Sequence, residues 1–136
     1  MRKERIKEVY EDFKNALGRL KEALEEDASR SSIVVDGTIK RFEFTFELAW
    51  KLAQLILEYN NIQTRGPRFV IKEAFKLGLI KKGESWIDML EDRNKTSHIY
   101  DEKQALKIYK KIKENHFDLL KTFSNEVVEF LHSLEG

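Results

Sequence analysis

Apolar residues recur along most of this chain at the three- and four-residue steps of an α-helix. In the first segment Ile6, Val9, Phe13, Leu17, Leu20 and Leu24 form one such stripe. "DASRSS", residues 27–32, then interrupts it with small polar residues, the signal of a loop or a helix start. The stretch from about Ile33 to Asn60 carries two overlapping patterns. Phe42, Phe44 and Phe46 alternate with polar residues, as in a strand. Phe42, Phe46, Ala49, Ala53 and Ile56 keep helical spacing, and Glu43, Glu47 and Lys51 form an i, i+4 polar row. The length of the segment decides for helix. Phe44, Leu48 and Leu55 widen its apolar surface, which suits a central helix or one at an interface.

"NNIQTRGP" reads as a connector, with Pro67 suited to the first position of a new helix. "RFVIKEAFKLG" is short and ends at Gly78, a helix-terminating glycine. "ESWIDMLEDRN" places Trp86, Met89, Leu90 and Arg93 on one side of another short helix. Asp101 is a predicted N-cap, with Gln104 completing a capping box. Beyond it Ala105, Ile108, Ile112, Phe117, Leu120, Phe123, Val127, Phe130 and Leu134 form a last stripe, one long helix or two with a bend near Asn115. The pattern predicts an all-α antiparallel bundle, four-helix-bundle-like, with three long helices and two shorter ones.

Composition narrows the picture. With 136 residues, 41% hydrophobic and 36% charged, the chain suits one soluble domain spanning 1–136. A net charge of +1 argues against nonspecific grip on a nucleic-acid backbone but leaves room for a small phosphate site. There is no cysteine, which excludes thiol catalysis, disulfides and thiolate metal sites. The N-terminus lacks a signal-peptide core and no run is apolar enough to span a membrane, so the chain reads as cytoplasmic.

Three constellations carry candidate chemistry. The first is "EDRNKTSHIYDE", residues 91–102, at the junction between two helices. Arg93 and Asn94 fall near a helix C-terminus, and His98, Ile99 and Tyr100 form a connector that frees His98 to fold back towards Arg93. An arginine offers a fork of donors to phosphate oxygens, and a histidine moves protons near neutral pH. The pair suits metal-free phosphodiester cleavage with a ribose 2′-hydroxyl as nucleophile, or simple binding of a nucleotide phosphate. The bland alternative has Arg93 capping helix carbonyls and His98 filling a turn. The second is "TRGPR", where Arg65 and Arg68 flank a helix start and could share a phosphate or an acidic partner residue, against a plain salt bridge to a nearby Glu. The third is Lys103, Lys107, Lys110 and Lys111, which reads as a solvated face. His116 and His132 are isolated, no His/Asp/Glu spacing resembles a metal site, and no glycine-rich phosphate loop is present. No metal or cofactor is expected.

"FEFTFELAWK" (residues 42–51), "GPRFVIKEAFKLGLI" (66–80) and "WIDMLEDRNKTSHIYDE" (86–102) together resemble the nucleotidyltransferase substrate-binding protein family, HepT-like members of the HEPN superfamily of helical bundles. The resemblance runs from about Phe42 to Ile112, with weaker flanks. It implies a helical homodimer within a hetero-oligomer, paired with a separate minimal nucleotidyltransferase that carries the metal-dependent transfer. Many superfamily members use Arg-x4–6-His as a metal-independent ribonuclease site built across the dimer. Related toxin–antitoxin pairs carry Arg-x4-His-x-Tyr, whose tyrosine the partner adenylylates. This chain matches that longer pattern at Arg93, His98 and Tyr100, and Asn94 fits its common Arg-Asn start. It has neither the Gly-Ser turn nor the Asp-x-Asp pair of the transferase itself.

Two expectations follow. In the first, the protein is a noncatalytic substrate-binding subunit whose cleft holds nucleotide or acceptor substrate, with Arg65 and Arg68 contacting phosphate or partner. In the second it is a ribonuclease toxin acting on RNA. Arg93 then holds the scissile phosphate, His98 is general base or acid, Asn94 orients and Tyr100 is the modification target.

Overall fold

The computed structural model describes residues 2–135, and all the regular structure in them is helical. α1 (Arg2–Glu25) and α2 (Ser32–Tyr59) are followed by the shorter α3 (Gly66–Leu77) and α4 (Gly83–Lys95). A 3-10 turn, Thr96–His98, leads towards α5 (Glu102–Lys111), which passes through a π-turn (Ile112–His116) into α6 (Phe117–Glu135). No helix is long and apolar enough to cross a membrane.

Local chemistry sets the boundaries. Ser31 begins α2, its side chain accepting a hydrogen bond from the Ile33 amide at 3.1 Å. Gly78 ends α3 with φ of 86°, a left-handed conformation that costs glycine little. The Leu79 amide then donates back to the Ala74 carbonyl at 2.9 Å. Asp101 caps α5 by accepting from the Gln104 amide at 2.8 Å. The reciprocal bond shifts by one residue from the expected box: Gln104 Oε1 accepts from the Tyr100 amide at 3.0 Å. That bond fixes the backbone at Tyr100.

α2 is the central helix, packed against α1, α3, α4, α5 and α6. Its phenylalanines separate as helical spacing requires: Phe42 and Phe46 are fully buried, whereas Phe44 is 60% exposed. α1 runs antiparallel to α2, with Arg2 donating to the Glu58 carbonyl and Arg41 to the Arg19 carbonyl. α6 runs antiparallel to α1, tied by Tyr10 to Ser124 and by Lys7 to Glu135. A chain of rings crosses the core through Phe42, Phe46, Trp86, Phe123 and Phe13, each 5.3–6.2 Å from the next. Truncating a buried ring of this kind costs about 3–5 kcal/mol, so this line fixes α1, α2, α4 and α6 relative to one another.

The last stripe steps by five residues from Ile112 to Phe117, and the π-turn lies there. Its wider turn lets the register slip. α5 packs on α2, while α6 packs on both α1 and α2. Phe117 is half-buried, and the fully buried residue at the slip is His116.

Candidate functional site

The C-terminal end of α4 faces the middle of α2. Arg93 donates from Nη2 to Glu47 on α2 and from Nη1 to Asn94 Oδ1 at 3.3 Å. Both members of the Arg93–Glu47 pair stay about one-third exposed. Arg93 thus does not cap its own helix. It stands in the wall of an open cleft of about 420 Å³, lined also by Lys40, Glu43, Phe44, Glu47, Asn94, Thr96 and Ser97. Lys40 and Arg93 balance Glu43 and Glu47 in charge. Two guanidinium nitrogens are engaged, and the remaining N–H donors of the fork are available to an anion.

His98 and Tyr100 lie just beyond this cleft. The helical path continues through the 3-10 turn, held by Thr96 Oγ1 on the Arg93 carbonyl at 2.6 Å and Ser97 Oγ on the Asn94 carbonyl at 3.2 Å. These bonds direct His98 away from a fold-back onto Arg93. Among the described residues no hydrogen bond joins Arg93 to His98. His98 Nδ1 instead shares a hydrogen bond with the Tyr100 hydroxyl at 3.2 Å. Tyr100 is 80% exposed. A 3-10 turn thus continues from α4 through His98 in place of the expected connector, with Arg93 bonded to Glu47 and His98 to Tyr100.

Arg65 and Arg68 do not join this cleft. Arg65 lies over the Phe69 ring, 5.7 Å from its centroid, and Arg68 lines a separate groove between α3 and α4. Neither forms a salt bridge among the described residues. Lys103, Lys107 and Lys110 are exposed as expected.

Lys111 is a second correction. It turns inward and donates to Asp92 at 2.7 Å and to Asp88 at 3.1 Å. His116, which the sequence left isolated, is fully buried and bonded through Nε2 to Asp92 Oδ2 at 2.7 Å. Its ring stacks on Phe42 at 5.5 Å, while its Nδ1 has no partner. Asp92, only 2% exposed, takes the place on the buried face of α4 that the spacing gave to Arg93. Burial alone pushes the Asp92 carboxyl up, but hydrogen bonds from His116 and Lys111 outweigh it and hold the group below its ordinary 3.8. Burial likewise lowers the Lys111 ammonium, and the bonds to Asp92 and Asp88 more than reverse this. Asp88, Asp92 and His116 approach one another closely enough to suggest a cation site. The Lys111 ammonium supplies a cation to these carboxylates, and the four residues form a hydrogen-bonded network behind Arg93.

Glu47 and this network escaped the sequence reading. Glu47 had a signal, its place in the polar row of an otherwise apolar helix. Asp92 and His116 lie 24 residues apart, and no local pattern joins them.

The family profile described as "Nucleotidyltransferase substrate binding protein like" matches residues 8–129, nearly the whole chain. The protein belongs to that family. Among curated relatives it is similar to the "Probable ribonuclease HepT" of Haemophilus influenzae, 33% identical over 84 residues. That alignment covers 58% of this chain and 58% of the relative's length. A solved protein of Thermus thermophilus superposes with a TM-score of 0.72 at 31% identity, over 88% of this chain and 98% of that one. A Haemophilus influenzae protein, described as having the fold of a substrate binding domain of a nucleotidyltransferase, gives a TM-score of 0.67 over 93% of this chain and 98% of its own. At 21% identity that likeness concerns the fold.

Proposed function

We propose that this member of the nucleotidyltransferase substrate-binding family is a partner subunit that holds a phosphate-bearing substrate for a separate minimal nucleotidyltransferase. The Arg93 cleft is the observation that carries this reading. Glu47 and Asn94 hold the guanidinium in position, so little side-chain freedom is lost when a phosphate arrives. Lys40 adds a second cation. The chain has no Asp-x-Asp pair for catalytic metal, so the transfer step belongs to the partner. Homodimerisation of this subunit is part of the proposal.

The decisive experiment looks for a minimal nucleotidyltransferase gene beside that of this chain, mixes the two purified proteins and follows mass by light scattering. A stable complex containing two copies of this chain is expected. Separate elution of the two proteins would rule the subunit role out.

A second reading, a metal-independent ribonuclease, draws on the contact between His98 and Tyr100. In it His98 accepts the proton of a ribose 2′-hydroxyl, the 2′ oxygen bonds to phosphorus, and the bond to the 5′ oxygen breaks as that oxygen takes a proton from water. A cyclic phosphate and a 5′-hydroxyl remain. Arg93 and His98 would act together across a dimer, since among the described residues no hydrogen bond joins them within one chain. Adenylylation at the exposed Tyr100 oxygen would place a nucleotide directly on His98 and block it. Equal RNA integrity in cells expressing wild type and His98→Ala would remove this reading.

A further inference from the structure

A groove of about 1100 Å³ runs between α3 and the start of α4, and it shares no lining residue with the Arg93 cleft. Phe69, Ile71, Phe75 and Ile87 form its apolar floor. Phe75 is 50% exposed, although its helix buries Val70, Ile71 and Ala74. The Phe75 ring lies against the first residue of α4, where a Cβ on Gly83 would come within 3.1 Å of it. Glycine at that point allows the ring to rest on backbone and widens the floor. Leu77, two residues on, is 44% exposed.

The rim is basic in a chain whose net charge is only +1. Arg68, Lys72, Lys76, Lys81 and Lys82 face the groove against Glu73 and Glu84. Lys76 pairs with Glu73 at 3.1 Å, and Lys81 with Glu126 on α6 at 3.5 Å. Arg68, Lys72 and Lys82 form no salt bridge among the described residues. The start of α4 adds to this positive edge. No side chain caps it, and its first helical bond comes from the Trp86 amide. The amides ahead of Trp86 therefore present the positive end of the helix dipole.

We propose that this groove docks an acidic amphipathic helix of a partner protein. Its apolar face covers Phe69, Phe75 and Ile87, and its carboxylates meet Arg68, Lys72 and Lys82. Helix-in-groove recognition combines an apolar floor with a charged rim in this way, and exposed aromatics commonly anchor such contacts. A nucleic-acid strand fits less well. Phosphate backbones require a continuous basic track, and Glu73 and Glu84 interrupt this one. The proposal stands apart from the role assigned to Arg93.

Fluorescence anisotropy tests it with three labelled probes. One is a peptide about four helical turns long with Leu and Phe on one face and Glu on the other. The second is the same peptide with Lys replacing Glu, and the third is a single-stranded oligouridine RNA. The Glu peptide is expected to bind, and the Lys peptide and RNA not to compete. Phe75→Ser and the double variant Lys72→Glu/Lys82→Glu each weaken binding by about tenfold or more. Lys121→Glu, an exposed change on α6, leaves it unaltered. The substituted side chains are exposed, and a thermal melt checks that each variant is folded. Failure of the Glu peptide to bind, equal affinity for the Lys peptide, displacement by RNA or undiminished binding in the variants would each overturn the proposal. So would a dimeric wild type that becomes monomeric in Phe75→Ser, which would assign the groove to a second copy.

Discussion

Replacing Asp92 with alanine isolates the network behind Arg93. His116 then loses its one hydrogen bond while its ring stays fully buried. An unpartnered buried polar group of this kind costs about 1–3 kcal/mol. Lys111 suffers less, because its side chain is 39% exposed and keeps Asp88 at 3.1 Å. The ammonium stays within reach of water, so its share of the loss is about 1 kcal/mol or less. Together Asp92→Ala should destabilise the fold by about 1–4 kcal/mol. With a urea m-value of about 2 kcal/mol/M, the middle of the range for small proteins, the midpoint falls by roughly 0.5–2 M. Circular dichroism gives the midpoint, and tryptophan fluorescence, from Trp50 and from Trp86 buried between Phe46 and Phe123, gives an independent one. Asp92→Asn keeps an acceptor and should lose less near neutral pH. A carboxyl whose pKa is lowered on folding stabilises above its unfolded value, and that contribution fades as pH falls through the folded value. The gap between wild type and Asp92→Asn should therefore be full near neutral pH and close below about pH 4. A midpoint shift for Asp92→Ala under about 0.3 M, equivalent to well under 1 kcal/mol, would refute the network's structural role. A gap that persists unchanged into acid would refute the charge argument.

Other positions give sharper local tests. Gly78→Ala forces a side chain into the left-handed region at φ of 86° and should destabilise by about 1 kcal/mol, read as a lower melting temperature; no change would contradict the C-terminal cap. Asp101→Ala removes the bond to the Gln104 amide and should cost about 1 kcal/mol, with faster amide exchange confined to the first turn of α5. Glu47→Gln keeps an acceptor for Arg93 but removes a negative charge from the cleft. ATP affinity should rise about fivefold at low salt, measured by calorimetry, and a fall would show that the carboxylate itself is needed.

The helices were legible because their signals are local. Gly78, Pro67 and Asp101 mark ends through backbone conformation or a side chain that reaches only a few residues. The bend offered near Asn115 falls within the π-turn Ile112–His116. Candidate chemistry was legible where it is contiguous, as in Arg93, Asn94, His98 and Tyr100. What periodicity hid is the partnership between elements. Asp92 and Arg93 are adjacent on α4, yet one turns to His116 and the other to Glu47. Which neighbour faces the core depends on how α4 is rotated against α2 and the π-turn, and packing sets that rotation. Lys111 belonged to a run of lysines that reads as a solvated face until Asp88 and Asp92 are brought beside it. His98 depended on whether the chain leaves α4 extended or through one more helical turn, which hydrogen bonds from Thr96 and Ser97 decide.

The central claim is that Arg93, held by Glu47 and Asn94, is the phosphate contact of this protein. Calorimetric titration of ATP into the purified chain alone, using wild type and Arg93→Ala, tests it most directly. Loss of a charge-assisted contact of about 1.5–3 kcal/mol predicts affinity weakened roughly tenfold to a hundredfold, with the fold intact by circular dichroism. Equal ATP affinity in both would contradict the account.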